Sequence, residues 1–368
     1  MTDTLLERPA PATLRKPRIG FLGVGWIGRH RMEAMLATGL IEAAIVADAS
    51  EAACAEAAAL APGAARADGL DALLEHDIDG VVIATPSALH ADQTRRALAR
   101  GMAVFCQKPL GRTEAEVREV VEAARRADRL LAVDLSYRFT EAAVRIRELV
   151  ERGELGRVHA VDLTFHNAYG PDKAWFYDPE LSGGGCVMDL GVHLVDLALW
   201  LLGDATVTEV SSHLFEGGRP LGDRPVAEDY AVATLTLETG AVVRLACSWK
   251  LPAGQDAIIS ASLYGDRGGA ELRNVGGVVL RFHGRAFRRH HPPRTRLAAR
   301  RLGRPGRHRL GPPPRRRRTF RSGCRRSDPR RPRARSHLWP VKPFRPRSAS
   351  FDCHRRRSGR RSAGPGSP

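Results

Sequence analysis

Between Arg18 and Gly28 the chain reads RIGFLGVGWIG. This short apolar run ends on glycines and passes at once into IGRHRMEAMLATG, which is apolar at helical spacing and closed by a glycine. A strand that turns on glycine straight into a helix has few ways to fold, because the strand must be buried and the helix must lie back across it. The alternation continues. IEAAIVADAS, DGVVIATP, MAVFCQKP and RLLAVDLSYR read as strands, and EAACAEAAAL, LHADQTRRALARG and TEAEVREVVEAARRAD as the helices between them. Strands and helices in this rhythm predict an α/β domain whose doubly wound parallel sheet is covered on both faces. After a helix near EAAVRIRELVERGELG the rhythm changes. VHAVDLTFHNAYG, VTEVSSHLFEG, DYAVATLTLETG, AVVRLACSWKL, DAIISASLYGD and GGAELRNVGGVVLRF read as successive strands with turns between them, a second, α+β domain with a mostly antiparallel sheet. One long helix, MDLGVHLVDLALWLLG, interrupts it. The boundaries expected are a loose leader over 1–17, a Rossmann domain over 18–135, a sheet domain over 136–284 and a disordered Arg/Pro-rich tail over 285–368.

Gly23, Gly25 and Gly28 form G-x-G-x-x-G, a weak pattern alone. Here it lies between a strand and a helix, and Asp48 ends the next strand 20 residues beyond Gly28. That context is the dinucleotide fingerprint. Gly23 permits the tight turn, Gly25 lets a pyrophosphate approach the backbone, and Gly28 allows close helix packing, with the helix N-terminus facing the phosphate charge. Asp48 is expected to accept hydrogen bonds from the adenosine ribose and to repel a 2′-phosphate, which favours NAD over NADP. Trp26, Ile27 and Thr85 are expected along the same cofactor. The bland alternative is a glycine turn with no ligand.

Lys108 follows a strand directly and precedes Pro109, at the sheet edge where such folds bind ligands. Desolvation and neighbouring charge can make such a lysine a general base. Asp189, His193 and Asp196 fall at i, i+4 and i+7, one face of an otherwise apolar helix. Buried ionisable groups are costly unless they face a cleft or one another. The three glycines before them, Gly183 to Gly185, are expected to let backbone approach a ligand or cofactor. A metal on Asp189 and His193 lacks further clear ligands, so none is expected. FHNAYGPDKAWFYD places His166, Tyr169 and Trp175 at a strand end, where they suit a sugar by stacking and hydrogen bonding, or an ordinary loop.

IGFLGVGWIG, VVIATPSALHADQ, VFCQKPLG and GGGCVMDLGVHLVDLALWLLG, in this order and spacing, resemble the Gfo/Idh/MocA oxidoreductases from about Arg18 to about Phe282. The resemblance implies a Rossmann domain followed by an open-faced sheet domain, with the nicotinamide cofactor between them. It implies that Lys108, in the family's E-K-P motif, contacts substrate and takes part in proton transfer. Asp189 and His193 would bind substrate hydroxyls, with His193 able to act as acid or base. Pro86 and His90 match the turn near the nicotinamide. The motif's glutamate is Gln107 here, expected beside the cofactor. Gln107 keeps the hydrogen-bonding reach and loses the charge, which is expected to ease deprotonation of Lys108. The activity implied is hydride transfer between a sugar, inositol or related polyol and NAD, in a homo-oligomer. A non-catalytic NAD-binding regulator and NAD-assisted glycoside cleavage are the competing readings.

Charge divides the chain. Residues 285–368 hold 28 Arg and one Lys against two Asp, while the preceding residues hold 29 basic and 39 acidic side chains. The pI of 10.6 therefore belongs to the tail. That tail lacks Ile, Met, Tyr, Glu, Asn and Gln and holds 13 of the 24 prolines. A genuine basic arm mixes Lys with Arg and carries other polar residues. We read the tail as a reading-frame slip near residues 283–290, which would leave the family's closing segment missing, and not as a nucleic-acid-binding arm. Six scattered cysteines without a C-x-x-C pair suit a reducing compartment. No uninterrupted apolar run reaches membrane length, and the opening residues carry no signal peptide. A cytoplasmic enzyme without membrane contact is expected.

Overall fold

The computed structural model describes residues 15–277 and 282–288. The first sheet is built from β1 (Arg18–Leu22), α1 (Trp26–Ala37), β2 (Glu42–Ala47), α2 (Glu51–Leu60), β3 (Ala65–Ala67), α3 (Leu70–Leu74), β4 (Gly80–Ile83), α4 (Ser87–Ala99), β5 (Ala103–Cys106), α5 (Glu114–Ala127) and β6 (Leu131–Val133). Its order is β3-β2-β1-β4-β5-β6, all parallel. β3 was not expected: its three residues ARA carry no apolar pattern. Core lies on both sides, one cluster around Ile45, Leu73, Ile83 and Leu98, the other around Phe21, Met32 and Val46. This is why β4 is apolar at every position instead of alternating. The strand order reverses between β1 and β4, and the crevice at such a switch point is where open α/β sheets bind ligands.

The second sheet follows α6 (Glu141–Glu151). It contains β7 (Val158–Asn167), α7 (Pro179–Ser182), α8 (Val192–Leu201), β8 (Val207–Glu216), β9 (Arg219–Pro220), β10 (Tyr230–Leu237), β11 (Val242–Ser248), β12 (Ala257–Gly265), β13 (Gly268–Asn274) and β14 (Phe282–Arg288). The order is β14-β13-β12-β7-β11-β10-β8-β9, antiparallel except for β7 with β11. On β7, Val161, Leu163 and Phe165 are buried and alternate with Asp162, Thr164 and His166. The buried face packs on Ile146 of α6 and on Leu194, Leu197 and Leu201 of α8.

Three expectations shift. GGAELRNVGGVVLRF is not one strand: β13 stops at Asn274, and Gly276 and Gly277 turn with φ of 64° and 75°. β14 then pairs with β13 as far as Arg288, past the boundary expected at 284. The leader begins to pack earlier than expected. Arg15 grips both oxygens of Asp79 at 2.8 Å, and the Pro17 carbonyl accepts from the Glu42 amide at 2.9 Å. Residues 1–14 and 289–368, with the disorder expected there, lie outside the described residues. Among the described helices, the stretch Pro179–Leu201 is long and apolar enough to cross a membrane; half of it is buried in the protein, and it carries Asp189, His193 and Asp196. Cys186 and Cys247, 61 residues apart, are both buried with their sulfurs 3.8 Å apart as free thiols.

Candidate functional site

The glycine turn leaves β1 at the switch point. Gly23 has φ of 81°, and a Cβ there would lie 2.5 Å from the Ala84 carbonyl carbon. A Cβ on Gly28 would stand 1.9 Å from the Gly23 oxygen, so the first turn of α1 can close on the loop only without a side chain. Gly25 differs: nothing lies within 4 Å of its Cβ position. It caps α1 without a side-chain hydrogen bond, leaving a helix N-terminus beside open space, which suits a diphosphate. Asp48 fixes the turn from β2: its Oδ2 accepts from the Val24 amide at 2.7 Å and its Oδ1 from the Ser50 amide at 2.8 Å. Each oxygen keeps a lone pair for a ribose hydroxyl. Trp26 is 76 % exposed and stacked on His30, while Ile27 is half-buried. The residues present fit a dinucleotide.

Across the switch point, Thr85 donates from its hydroxyl to Gln93 at 2.6 Å, and Pro86 opens α4. His90 does not face outward. Its ring is buried, with Nδ1 2.7 Å from the Pro109 carbonyl oxygen and Nε2 2.7 Å from that of Thr85. It braces the two turns against each other. Burial holds it below the ordinary imidazole range against the pull of the two carbonyls.

Lys108 leaves β5 before a cis peptide bond to Pro109. Its Nζ donates to the Asp189 carbonyl at 2.8 Å and to Asp189 Oδ1 at 2.7 Å. Trp249, just past β11, donates from Nε1 to the other carboxylate oxygen at 3.0 Å. Asp189 sits in a π turn, Val187–Gly191, that feeds α8. The wide turn breaks the single helical face read from spacing. Asp189 goes to Lys108, whereas Asp196 turns away to pair with Arg138. One Asp189 carboxylate oxygen thus accepts from a lysine and the other from an indole. Whatever residue 107 contributes, Lys108 has a carboxylate partner in Asp189.

His193 lies one turn on. Its Nδ1 is sealed from solvent with no hydrogen-bond partner among the described residues. Tyr137 meets the ring edge-on at 4.9 Å and Phe165 lies at 6.3 Å. Burial, then the charges of Lys108 and Arg31, hold His193 well below the ordinary imidazole range. Burial likewise pushes the Tyr137 phenol up, with Asp189 and Tyr169 adding to it.

Two of the three glycines are required by the protein's own packing. A Cβ on Gly185 would lie 2.0 Å from the Glu228 carbonyl oxygen, and one on Gly183 would meet Arg112. Glu228 is buried, and its carboxylate accepts from the Gly185 and Val187 amides at 2.9 and 2.8 Å. A negative charge at the start of that helical run is favourable. Gln107 is also turned inward: its amide donates to Asp134, which accepts from Arg31 Nε at 2.5 Å through the same oxygen.

The strand-end residues separate. His166 points to the face of the sheet opposite Phe165, bonds Ser248 at 2.7 Å and stacks on Tyr230, so it does not join Lys108, Asp189 and His193. Trp175 stacks on Phe176 at 3.8 Å, and Phe176 and Tyr177 both meet Trp249 edge-on. That loop, with half-exposed Tyr169, packs on Trp249, the indole that donates to Asp189. Tyr137, Asp134, Trp249 and Arg31 were missed. The first two follow β6 at the same sheet edge as Lys108, a signal the sequence carried. Trp249 and Arg31 are brought in only by tertiary folding.

Residues 17–135 match the oxidoreductase family with the NAD-binding Rossmann fold, and residues 143–271 match the GFO/IDH/MocA C-terminal domain. The chain is 31% identical over 205 residues to D-glucoside 3-dehydrogenase of Escherichia coli K12, covering 53% of this chain and 58% of that one. It is 31% identical over 247 residues to inositol 2-dehydrogenase of Rhizobium meliloti, covering 67% and 68%. The WlbA dehydrogenase from Bordetella pertussis, in complex with NADH and UDP-GlcNAcA, superposes with a TM-score of 0.66 at 27% identity, over 77% of this chain and 80% of that one. The chain thus spans little more than half the length of the Escherichia coli relative.

Proposed function

The chain belongs to the Gfo/Idh/MocA oxidoreductases, and on that premise we propose that it is an NAD-dependent dehydrogenase of a sugar, inositol or related polyol. The observation that carries this reading is the Lys108–Asp189 pair at the sheet edge that holds the Gly25 cradle, with buried His193 one helical turn beyond Asp189. Relatives named for glucosides and inositol support the substrate class.

Bound NAD would supply the hydride acceptor, held by Gly23, Gly25, Trp26, Ile27, Asp48, Thr85 and Pro86. The protein's own residues handle the proton and the hydroxyls. Lys108 gives two of its three N–H donors to Asp189, and the third is left for a substrate oxygen. His193, held neutral by burial, offers an unprotonated ring to a substrate hydroxyl, and a proton leaving that hydroxyl passes to Lys108 once the lysine has given up one of its own. Asp189, oriented by Trp249, takes a neighbouring hydroxyl. Tyr169 and Trp175 line the approach. An intact family member is expected to work as a homo-oligomer in the cytoplasm. A thermal-shift screen of polyols, sugars and sugar acids with NAD present, followed by NADH absorbance for each stabilising compound, tests the reading. NADH formation from a polyol supports it, and no stabilisation or NADH from any of them contradicts it.

A further inference from the structure

Gln107 and Asp134 stand at the ends of adjacent parallel strands, β5 and β6, and the Asp134 amide donates to the Cys106 carbonyl at 2.9 Å. Both side chains are 7 % exposed. One oxygen, Asp134 Oδ2, receives both Gln107 Nε2 and Arg31 Nε. Arg31 belongs to α1, the helix whose first turn is the glycine cradle. Gln107 precedes Lys108, and Asp134 lies three residues before Tyr137, which meets His193. A single buried carboxylate therefore ties the phosphate helix, the lysine turn and the histidine's neighbour together. Its place matters because an unpaired buried charge is strongly destabilising, and two carboxylates in hydrogen-bond contact cannot both ionise.

We propose that Asp134 is a positioning residue for Lys108. It supplies from β6 the negative charge that Gln107 lacks, so that one acid, at 107 or at 134, is required between Arg31 and the lysine turn. Gln107 is then an amide because its neighbour is already the acid. This rests on Lys108 being a site residue, but the test below needs no turnover and stands or falls separately from the dehydrogenase reading.

Four full-length proteins decide it: the parent, Q107E, D134N and Q107E/D134N. Two readouts are taken, the thermal midpoint at pH 6 and pH 8, and the rate at which acetic anhydride acetylates Lys108, read by peptide mass spectrometry. Q107E should lose more midpoint at pH 8 than at pH 6, since the facing acids must share a proton. D134N should lower the midpoint at both and change Lys108 acetylation by about threefold or more, because an uncompensated Arg31 loosens the turn. The double variant should return both readouts toward the parent. If D134N does not fold, a folded double variant with the parent's Lys108 rate supports the proposal equally. Lys108 reactivity within about twofold of the parent in folded D134N, or a double variant no better than its worse single, overturns it.

Discussion

Among the described residues His193 Nδ1 has no hydrogen-bond partner and is sealed from water, a state that costs about 1–3 kcal/mol in a protein interior. Such a cost is retained where the group works. Removing it as His193→Ala should cut turnover about 10²-fold or more while NAD still binds, as for loss of a general acid or base; unchanged turnover removes it from the mechanism. The pH dependence follows from its surroundings. His193, His90 and His166 are all held below the ordinary imidazole value by burial. A lowered folded value means that the unfolded chain takes up protons first as pH falls. The stability they contribute is full above about pH 6.5 and is lost progressively below it. The thermal midpoint should therefore be lower at pH 5.5 than at pH 7.5, and His193→Asn should flatten that slope; equal midpoints in the parent would contradict the burial. Asp48 predicts NAD binding at least about tenfold tighter than NADP, a difference of about 1.4 kcal/mol, by titration of both. Tighter NADP binding would sink this. At this scale the sequence announces the residues that sit in local motifs: Gly23, Gly25, Gly28, Lys108, Asp189 and His193. It is silent on Asp134 with Arg31 and on Trp249 with Asp189, pairs 103 and 60 residues apart that only the fold assembles.

Two glycines of one turn carry different burdens, and this separates folding from ligand binding at the level of the element. Gly28→Ala places a methyl 1.9 Å from a carbonyl oxygen and should destabilise the Rossmann domain by about 1–3 kcal/mol, as overpacking does. Gly25→Ala meets open space, so the thermal midpoint of the free protein should hold while NADH binding, followed by fluorescence, is lost. Equal NADH affinity in Gly25→Ala would remove the phosphate from this turn. The alternating elements of the first domain were legible because a sheet buried on both faces writes continuous apolar runs. β3 was not, since an edge strand of three residues buries too little to leave a pattern. The π turn was illegible for a related reason. Spacing assumes 3.6 residues per turn, and one wide turn rotates Asp196 away from Asp189 and onto Arg138. The glycines before that turn were seen, but only the fold shows the Glu228 backbone against Gly185.

Taken whole, the chain is acidic up to residue 284, and its pI comes from residues 285–368. β14 pairs through Arg288, so the change in composition, counted from Arg285, begins inside a strand. Translating the gene in its two other frames from about residue 283 should yield alternating apolar segments that continue the sheet domain. Two frames without such a pattern before a stop would remove the frame-slip reading. Fold class was legible from rhythm alone, and family membership from four motifs in order. The packing of Trp175, Phe176 and Tyr177 around Trp249 was not legible in either, because those side chains meet only in the fold. The chemistry proposed for this chain is hydride transfer from a polyol hydroxyl with Lys108 and His193 handling the proton. It is tested most directly by following NADH absorbance as the full chain is incubated with NAD and each polyol or sugar that stabilises it. The account predicts one NADH per molecule oxidised for at least one compound, with rates about 10²-fold lower in Lys108→Ala and His193→Ala at unchanged NAD affinity. Tight NAD binding with no NADH from any of them, or full turnover in both variants, would contradict it.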